Sequence, residues 1–199
     1  MTIVDDLART PDDGFEERYR RLVAAAEGDG ILDVGYRTVD TPIGRLLLAA
    51  TGLGLVKVAF GSEDPDAVLA GLAEHVSPRI LRAPARLDGV ARELDEYFEG
   101  HRRTFDVPVD LRLAKGFRRE VLRLLPEIGY GRTASYAAVA ASAGSPGAVR
   151  AVGTACALNP VPVVVPCHRV VRSDGSPGQY AGGPEIKLAL LELERSHQN

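Results

Sequence analysis

With 199 residues, 45% of them apolar and 26% charged, the chain can form one large or two small soluble domains with a real core. No apolar run approaches membrane-spanning length, and the opening Met-Thr-Ile-Val-Asp-Asp lacks the basic-then-apolar pattern of a secretory signal. The net charge of −3 hides a split: residues 1–111 hold 13 Lys+Arg against 21 Asp+Glu, a net of −8, and residues 112–199 hold 11 against 6, a net of +5. A basic second half suits a polyanionic partner, and equally a solvated helix face.

Thr10-Pro11-Asp12-Asp13 reads as a helix start: hydroxyl N-cap, Pro in the first position, acids in the first turn. Phe15, Tyr19, Leu22, Val23 and Ala26 then share a face, which predicts a helix to about Glu27, ended by Gly28. Three strand-like runs follow, Leu32–Val39, Arg45–Ala50 and Leu55–Phe60, with short glycine-containing turns between them that predict an antiparallel arrangement. Asp64–His75 and Leu87–Phe98 read as amphipathic helices, and Thr104–Val107 as a short extended piece.

From Ala114 the pattern turns helical. Lys115–Leu125 carries Phe117, Val121, Leu124 and Leu125 at helical spacing and stops at Pro126. Between Arg112 and Arg132 lie six basic residues, opposed only by Glu120 and Glu127. Ser135 is a good N-cap for a helix over Tyr136–Ala143, ended by Gly144. Ser145-Pro146 predicts a second helix start at once, running from Gly147 to about Leu158, so the pair has helix-turn-helix spacing. That second helix carries Ala148, Ala151, Gly153, Thr154, Ala155 and Ala157, with Arg150 its only charge. Stripped of bulk, it can approach another surface closely, whether protein or a nucleic-acid groove.

Residues 165–170, Val-Pro-Cys-His-Arg-Val, carry the strongest chemical signal. Cys167, one of two cysteines, adjoins His168, one of four histidines. Thiolate is the nucleophilic form of cysteine, and a neighbouring imidazole or cation populates it. The Pro-punctuated lead-in from Asn159 to Pro166 predicts a stiff, buried delivery of the sulfur. A Cys-His pair alone is weak, because free cysteine is usually a small buried hydrophobe. Two cysteines in a chain without an export signal predict thiols in the reducing cytoplasm.

Taken in order, Gly131–Tyr136, Ala148–Gly153, Asn159–Pro162, Val165–Val171, Gly182-Gly183 and Lys187–Glu194 resemble the O6-alkylguanine-DNA alkyltransferases. The resemblance spans about residues 33–195 and is densest after Arg132. It implies an α+β protein in two parts: a ribonuclease-H-like α/β domain on a small antiparallel sheet at about 31–110, and a mainly helical domain with a helix-turn-helix at 111–199. Residues 1–30 form an extension. The implied activity is irreversible transfer of an alkyl group from O6-alkylguanine, possibly also O4-alkylthymine, to Cys167, with the lesion flipped from duplex DNA. His168 matches the base that deprotonates the thiol through a water, and Glu194 the residue that orients it. Tyr136 matches the hydrogen-bond donor to guanine N3, and Asn159 the asparagine tying helix to active-site strand. Arg150 matches the arginine that enters the stack. Ser135, Ala151 and Gly153 fall with it and Tyr136 on the implied DNA face. Val165, Pro166, Tyr180, Ala181 and Gly182 match the substrate pocket. The family implies a minor-groove partner, duplex DNA with O6-alkylguanine, a monomer, and neither cofactor nor membrane.

Departures are few. Leu122 stands where the family commonly has tryptophan, Ala181 where some members have serine, and Pro184 follows the double glycine. Cys156 lies on the second helix, and the N-terminal half offers only His75 and His101, with no cysteine, toward a zinc site. The alternatives are a non-catalytic lesion-recognition module, which Cys167 opposes, a cysteine hydrolase, which Arg150 and the small-residue helix oppose, and a regulator, for which no second DNA-binding module is present.

Overall fold

The protein is described by a computed structural model that covers residues 13–197. The three apolar runs form a meander of β1 (Val34–Thr41), β2 (Gly44–Thr51) and β3 (Gly54–Phe60), antiparallel as expected. Gly54 adopts φ +135° where a Cβ would lie 2.3 Å from the Pro108 carbonyl oxygen, so the turn there requires glycine. β2 is almost uniformly apolar because both its faces are covered. Leu46 and Leu48 enter the main core while Leu47 and Ala49 meet Leu72 of α2 (Pro65–His75) on the other side.

A fourth strand, β4 (Ile80–Arg82), joins β1 in parallel and gives the order β3-β2-β1-β4, so the sheet is mixed and not purely antiparallel. Three residues are too few to show alternation, and the parallel crossover through α2 decides the pairing. The Thr104–Val107 segment is not a strand. The extended contact lies slightly later, where Val109 bridges Leu55 and the Leu55 N–H donates to Pro108 O at 2.8 Å.

The expected N-terminal helix is α1 (Asp13–Gly28), and its Thr10-Pro11 start lies outside the described residues. It docks on the sheet. Ala26 packs with Leu32 and Ala83, the Tyr19 hydroxyl accepts from the Arg82 N–H at 2.9 Å, and Glu16 pairs with Arg82. The edge strand β4 is thereby shielded.

α3 (Asp88–Phe98) sends Leu94 and Tyr97 into the main core, where they meet residues of the second half. That half comprises α4 (Phe117–Leu124), β5 (Ala134–Ser135), α5 (Tyr136–Ser142), α6 (Val149–Ala157), β6 (Val170–Val171) and α7 (Pro184–Ser196). α4 starts two residues later than the sequence pattern suggested and gives way to a 3-10 turn containing Pro126. Leu122, at the family's tryptophan position, is fully buried.

Ser135 caps α5 as expected, accepting from the Ala138 N–H at 3.1 Å. Ser145 does not cap α6. Its N–H donates to Ala140 O and its carbonyl accepts from Ala148 N–H, so it closes α5, and Pro146 sits in the turn. α6 begins at Val149 behind Ala148, which offers no side-chain cap. Among the described residues, no helix is long and apolar enough to cross a membrane.

Candidate active site

The segment from Pro160 to Val171 is buried throughout. Pro160, Pro162 and Pro166 restrict its backbone, and Val163 is held at φ +73°. A β-branched residue in that region carries about 1–3 kcal/mol of strain, which the surroundings must over-determine. They do so through the Val165 N–H to Val161 O at 2.9 Å and the Val58 N–H to Pro160 O at 2.8 Å. Asn159 is the organiser. Its Oδ1 accepts from Val161 N–H at 3.0 Å, while its Nδ2 donates to Val165 O at 2.8 Å and to Cys167 Sγ at 3.1 Å. It is not the α6 cap, which is Leu158.

Cys167 is completely buried. Burial pushes its thiol up to about 11, against the Asn159 hydrogen bond and the Lys187 charge, which both favour thiolate. At neutral pH the resting sulfur is therefore a thiol. Beside it, His168 is also fully buried and directs Nε2 to Glu194 Oε1 at 2.8 Å. Burial pushes the imidazole below its ordinary value, with the Glu194 partnership opposing. The ring is neutral at pH 7, and an Nε2–H donated to a carboxylate leaves Nδ1 as the basic nitrogen. Nδ1 has no protein partner among the described residues.

Glu194, on α7, is fully buried yet ionised. Burial alone would raise its carboxyl, but hydrogen bonds from His168 and Arg169 and the Arg169 charge outweigh it and hold the group at about 2. Its oxygens accept from His168, from Arg169 Nε and Nη2, from the Gly131 N–H at 2.9 Å and from the Tyr97 hydroxyl at 2.8 Å. Arg169 is further held by Ile128 O at 2.6 Å and lies over the Tyr130 ring.

Around the sulfur, Tyr180 sets its ring edge-on to His168 and to Phe60 of β3. Gly182 packs on Phe60 so closely that a Cβ would meet the ring at 2.9 Å, while Ala181 is exposed. The Val165 carbonyl accepts from both Asn159 and the Cys167 N–H, and Pro166 is buried beside it. Tyr136, half-buried at the start of α5, keeps its phenol protonated because burial raises it. The loop at Gly178 lies over it, since a Cβ there would sit 2.7 Å from the Tyr136 hydroxyl oxygen.

Arg150 and Ala151 are exposed on the outer face of α6, with Gly153 partly so, while Val152, Ala155 and Cys156 point inward. The expected site thus divides into two groups. Cys167, His168, Glu194, Asn159 and Tyr180 come together in the interior. Arg150 and Ala151 stand on the surface, and Ser135 and Tyr136 are partly buried at the start of α5.

Three participants escaped the sequence reading. Tyr97 sits at a regular apolar position of α3 and reads as core. Lys187 reads as one more charge on α7, yet it is fully buried and donates from Nζ to Val170 O at 2.5 Å, over the Tyr136 ring. Arg169, which the sequence shows only as a cation beside His168, holds Glu194 with its forked donors.

Against known proteins, residues 34–111 match the family described as 6-O-methylguanine DNA methyltransferase, ribonuclease-like domain, and residues 116–196 its DNA binding domain. A methylated-DNA–protein-cysteine methyltransferase of Mycolicibacterium paratuberculosis is 40% identical over 82% of this chain and 94% of its own. The constitutive one of Bacillus subtilis is 37% identical over 80% and 94%. The crystal structure of a Mycobacterium tuberculosis relative in complex with DNA aligns at 39% identity and a TM-score of 0.72, covering 82% of this chain and 94% of that one.

Proposed function

This chain belongs to the 6-O-methylguanine DNA methyltransferase family, and from that premise we propose that it repairs O6-alkylguanine by moving the alkyl group onto Cys167. The observation that carries the reading is the buried Cys167–His168–Glu194 arrangement, with an amide donor on the sulfur. His168 Nδ1 takes the thiol proton, through a water in the family's scheme. Sγ attacks the alkyl carbon, the carbon–O6 bond breaks, and its electron pair leaves with guanine. The Tyr136 hydroxyl protonates the departing base at N3. Glu194 fixes the tautomer of His168 and stabilises the imidazolium. The product thioether is stable, so each molecule acts once.

DNA is the partner, and the finer reading is that α5 and α6 form a helix-turn-helix on the minor groove. Small residues allow close approach and Arg150 fills the stack vacated by the flipped base. Because the sulfur is wholly buried, the base reaches it when the loop from Arg172 to Gly183, whose Gly178 packs on Tyr136, swings aside. We take the units as 1–30, 31–110 and 111–199, and the working form as a cytoplasmic monomer. Tyr97 is a positioning residue, acting through Glu194.

Intact-mass spectrometry after incubation with an oligonucleotide containing one O6-methylguanine tests the reading. A single methyl on the Cys167 peptide, saturating at one per protein and absent in Cys167→Ser, is expected. A folded protein that binds the oligonucleotide without gaining mass would instead be a lesion-recognition module.

A further inference from the structure

The basic run between Arg112 and Arg132 has no role in that chemistry. Arg150 is the only charge on α6, whereas Arg112, Arg119 and Arg123 line a separate cavity of about 500 Å³, together with Arg103 and Arg169. Asp110 is the one acid on its wall, and it is already engaged by Arg112 at 2.6 Å and by the Thr51 hydroxyl at 2.7 Å. Arg169 is likewise committed to Glu194. Arg119 donates its Nε to Ala114 O at 2.7 Å, which fixes the side chain and leaves its terminal nitrogens for a ligand. Arg123 is exposed and forms no ion pair among the described residues. Phe105, Val107 and Leu111 are partly exposed and give the same cavity an apolar lining.

Guanidinium forks match phosphate oxygens, and clefts of one charge sign concentrate anions. The volume is that of a small-ligand site, and an apolar wall beside a few aimed polar groups is the composition such sites have. We propose that this cavity is a second binding site, for a ligand of nucleotide chemistry. Its phosphate lies against Arg119 and Arg123 and its base against Phe105 and Val107. The ligand is a free mononucleotide or a phosphate and base of a single-stranded DNA segment. The site lies behind Val164, Val165 and Pro166, so it abuts the strap that carries Cys167 without sharing the sulfur. It does not depend on alkyl transfer.

Calorimetric titration of the full chain with dGMP, and separately with a lesion-free single-stranded tetranucleotide, tests this at low salt. Saturable binding at one site per chain is expected, competed by inorganic phosphate and weakened about tenfold in Arg123→Glu, the loss of one charge-assisted contact. Arg119→Gln, a second variant, weakens it similarly, and Arg150→Ala leaves it unchanged. Equal affinity for the two probes identifies a free nucleotide, and tighter tetranucleotide binding identifies a DNA segment. Three results would overturn the proposal: no saturable binding at millimolar probe, binding indifferent to both Arg123→Glu and Arg119→Gln in folded protein, or binding lost in Arg150→Ala.

Discussion

Replacing Glu194 by Gln tests the centre of the structure, because one carboxylate there serves four residues. Oε1 accepts from Tyr97, His168 and Arg169, and Oε2 from Gly131 and Arg169. A glutamine has one acceptor oxygen, so either orientation turns an NH2 toward donors. Arg169, 5% exposed, is also left as an uncompensated buried cation. Breaking a buried pair in this way costs about 3–5 kcal/mol. The loss depends on pH in a fixed direction. A carboxyl lowered from 4.5 to about 2 contributes stability that is complete above its unfolded value and disappears as pH falls through the folded one. Its full worth is about 3 kcal/mol, of which about 1 kcal/mol is gone by pH 3.5. Urea unfolding followed by far-ultraviolet circular dichroism at pH 7 and pH 3.5 measures this. The gap between parent and variant should narrow by that amount at the lower pH. A gap of under 1 kcal/mol at pH 7, or one independent of pH, would refute an ionised, load-sharing Glu194.

Tyr97→Phe removes one hydrogen bond to a charged group, which costs about 1.5–3 kcal/mol of stability. With one donor fewer, Glu194 pulls harder on His168, so the acid limb of the pH–rate profile for methyl transfer should move to higher pH. An unmoved limb would make Tyr97 merely structural. Arg150→Ala should keep transfer from the free base O6-benzylguanine and lose at least about tenfold on duplex DNA, by loss of one charge-assisted contact. Parent-rate repair of duplexes would remove Arg150 from base flipping. The buried thiols predict alkaline sensitivity. Cys167 rises from 9.0 to about 11 and Cys156 to about 12, both chiefly by burial. A raised folded value means stability that is full below the unfolded value and lost as pH climbs through the folded one. Between pH 8 and 10, the Cys167 share is about 1 kcal/mol, and S-methylation should abolish that share in denaturant melts. An equal drop in methylated and unmethylated protein would contradict it.

Local patterns in the chain were sufficient for the meander strands, whose apolar runs are bounded by turns only glycine fills easily, and for the Ser135 cap, which needs nothing beyond its own helix. The family resemblance carried by the motifs from Gly131 to Glu194 nominated Cys167, His168, Glu194 and Asn159; of these, local sequence alone singles out only the Cys-His pair. Elsewhere local signals misled. Ser145-Pro146 has the composition of a helix start, but its backbone groups closed α5, since an adjacent helix competed for the same hydrogen bonds. β4 was invisible because three residues carry no period. Tyr97 and Lys187 show the deeper limit. Nothing in the patterning of α3 marks its tyrosine as a donor to a carboxylate on α7, and nothing in α7 marks a lysine that burial forces onto Val170. The same holds for the arginine-lined cavity, which gathers Arg103, Arg112, Arg119, Arg123 and Arg169 from separate segments. Side-chain chemistry is written residue by residue, whereas dielectric, partner and distance arise only when distant segments pack together.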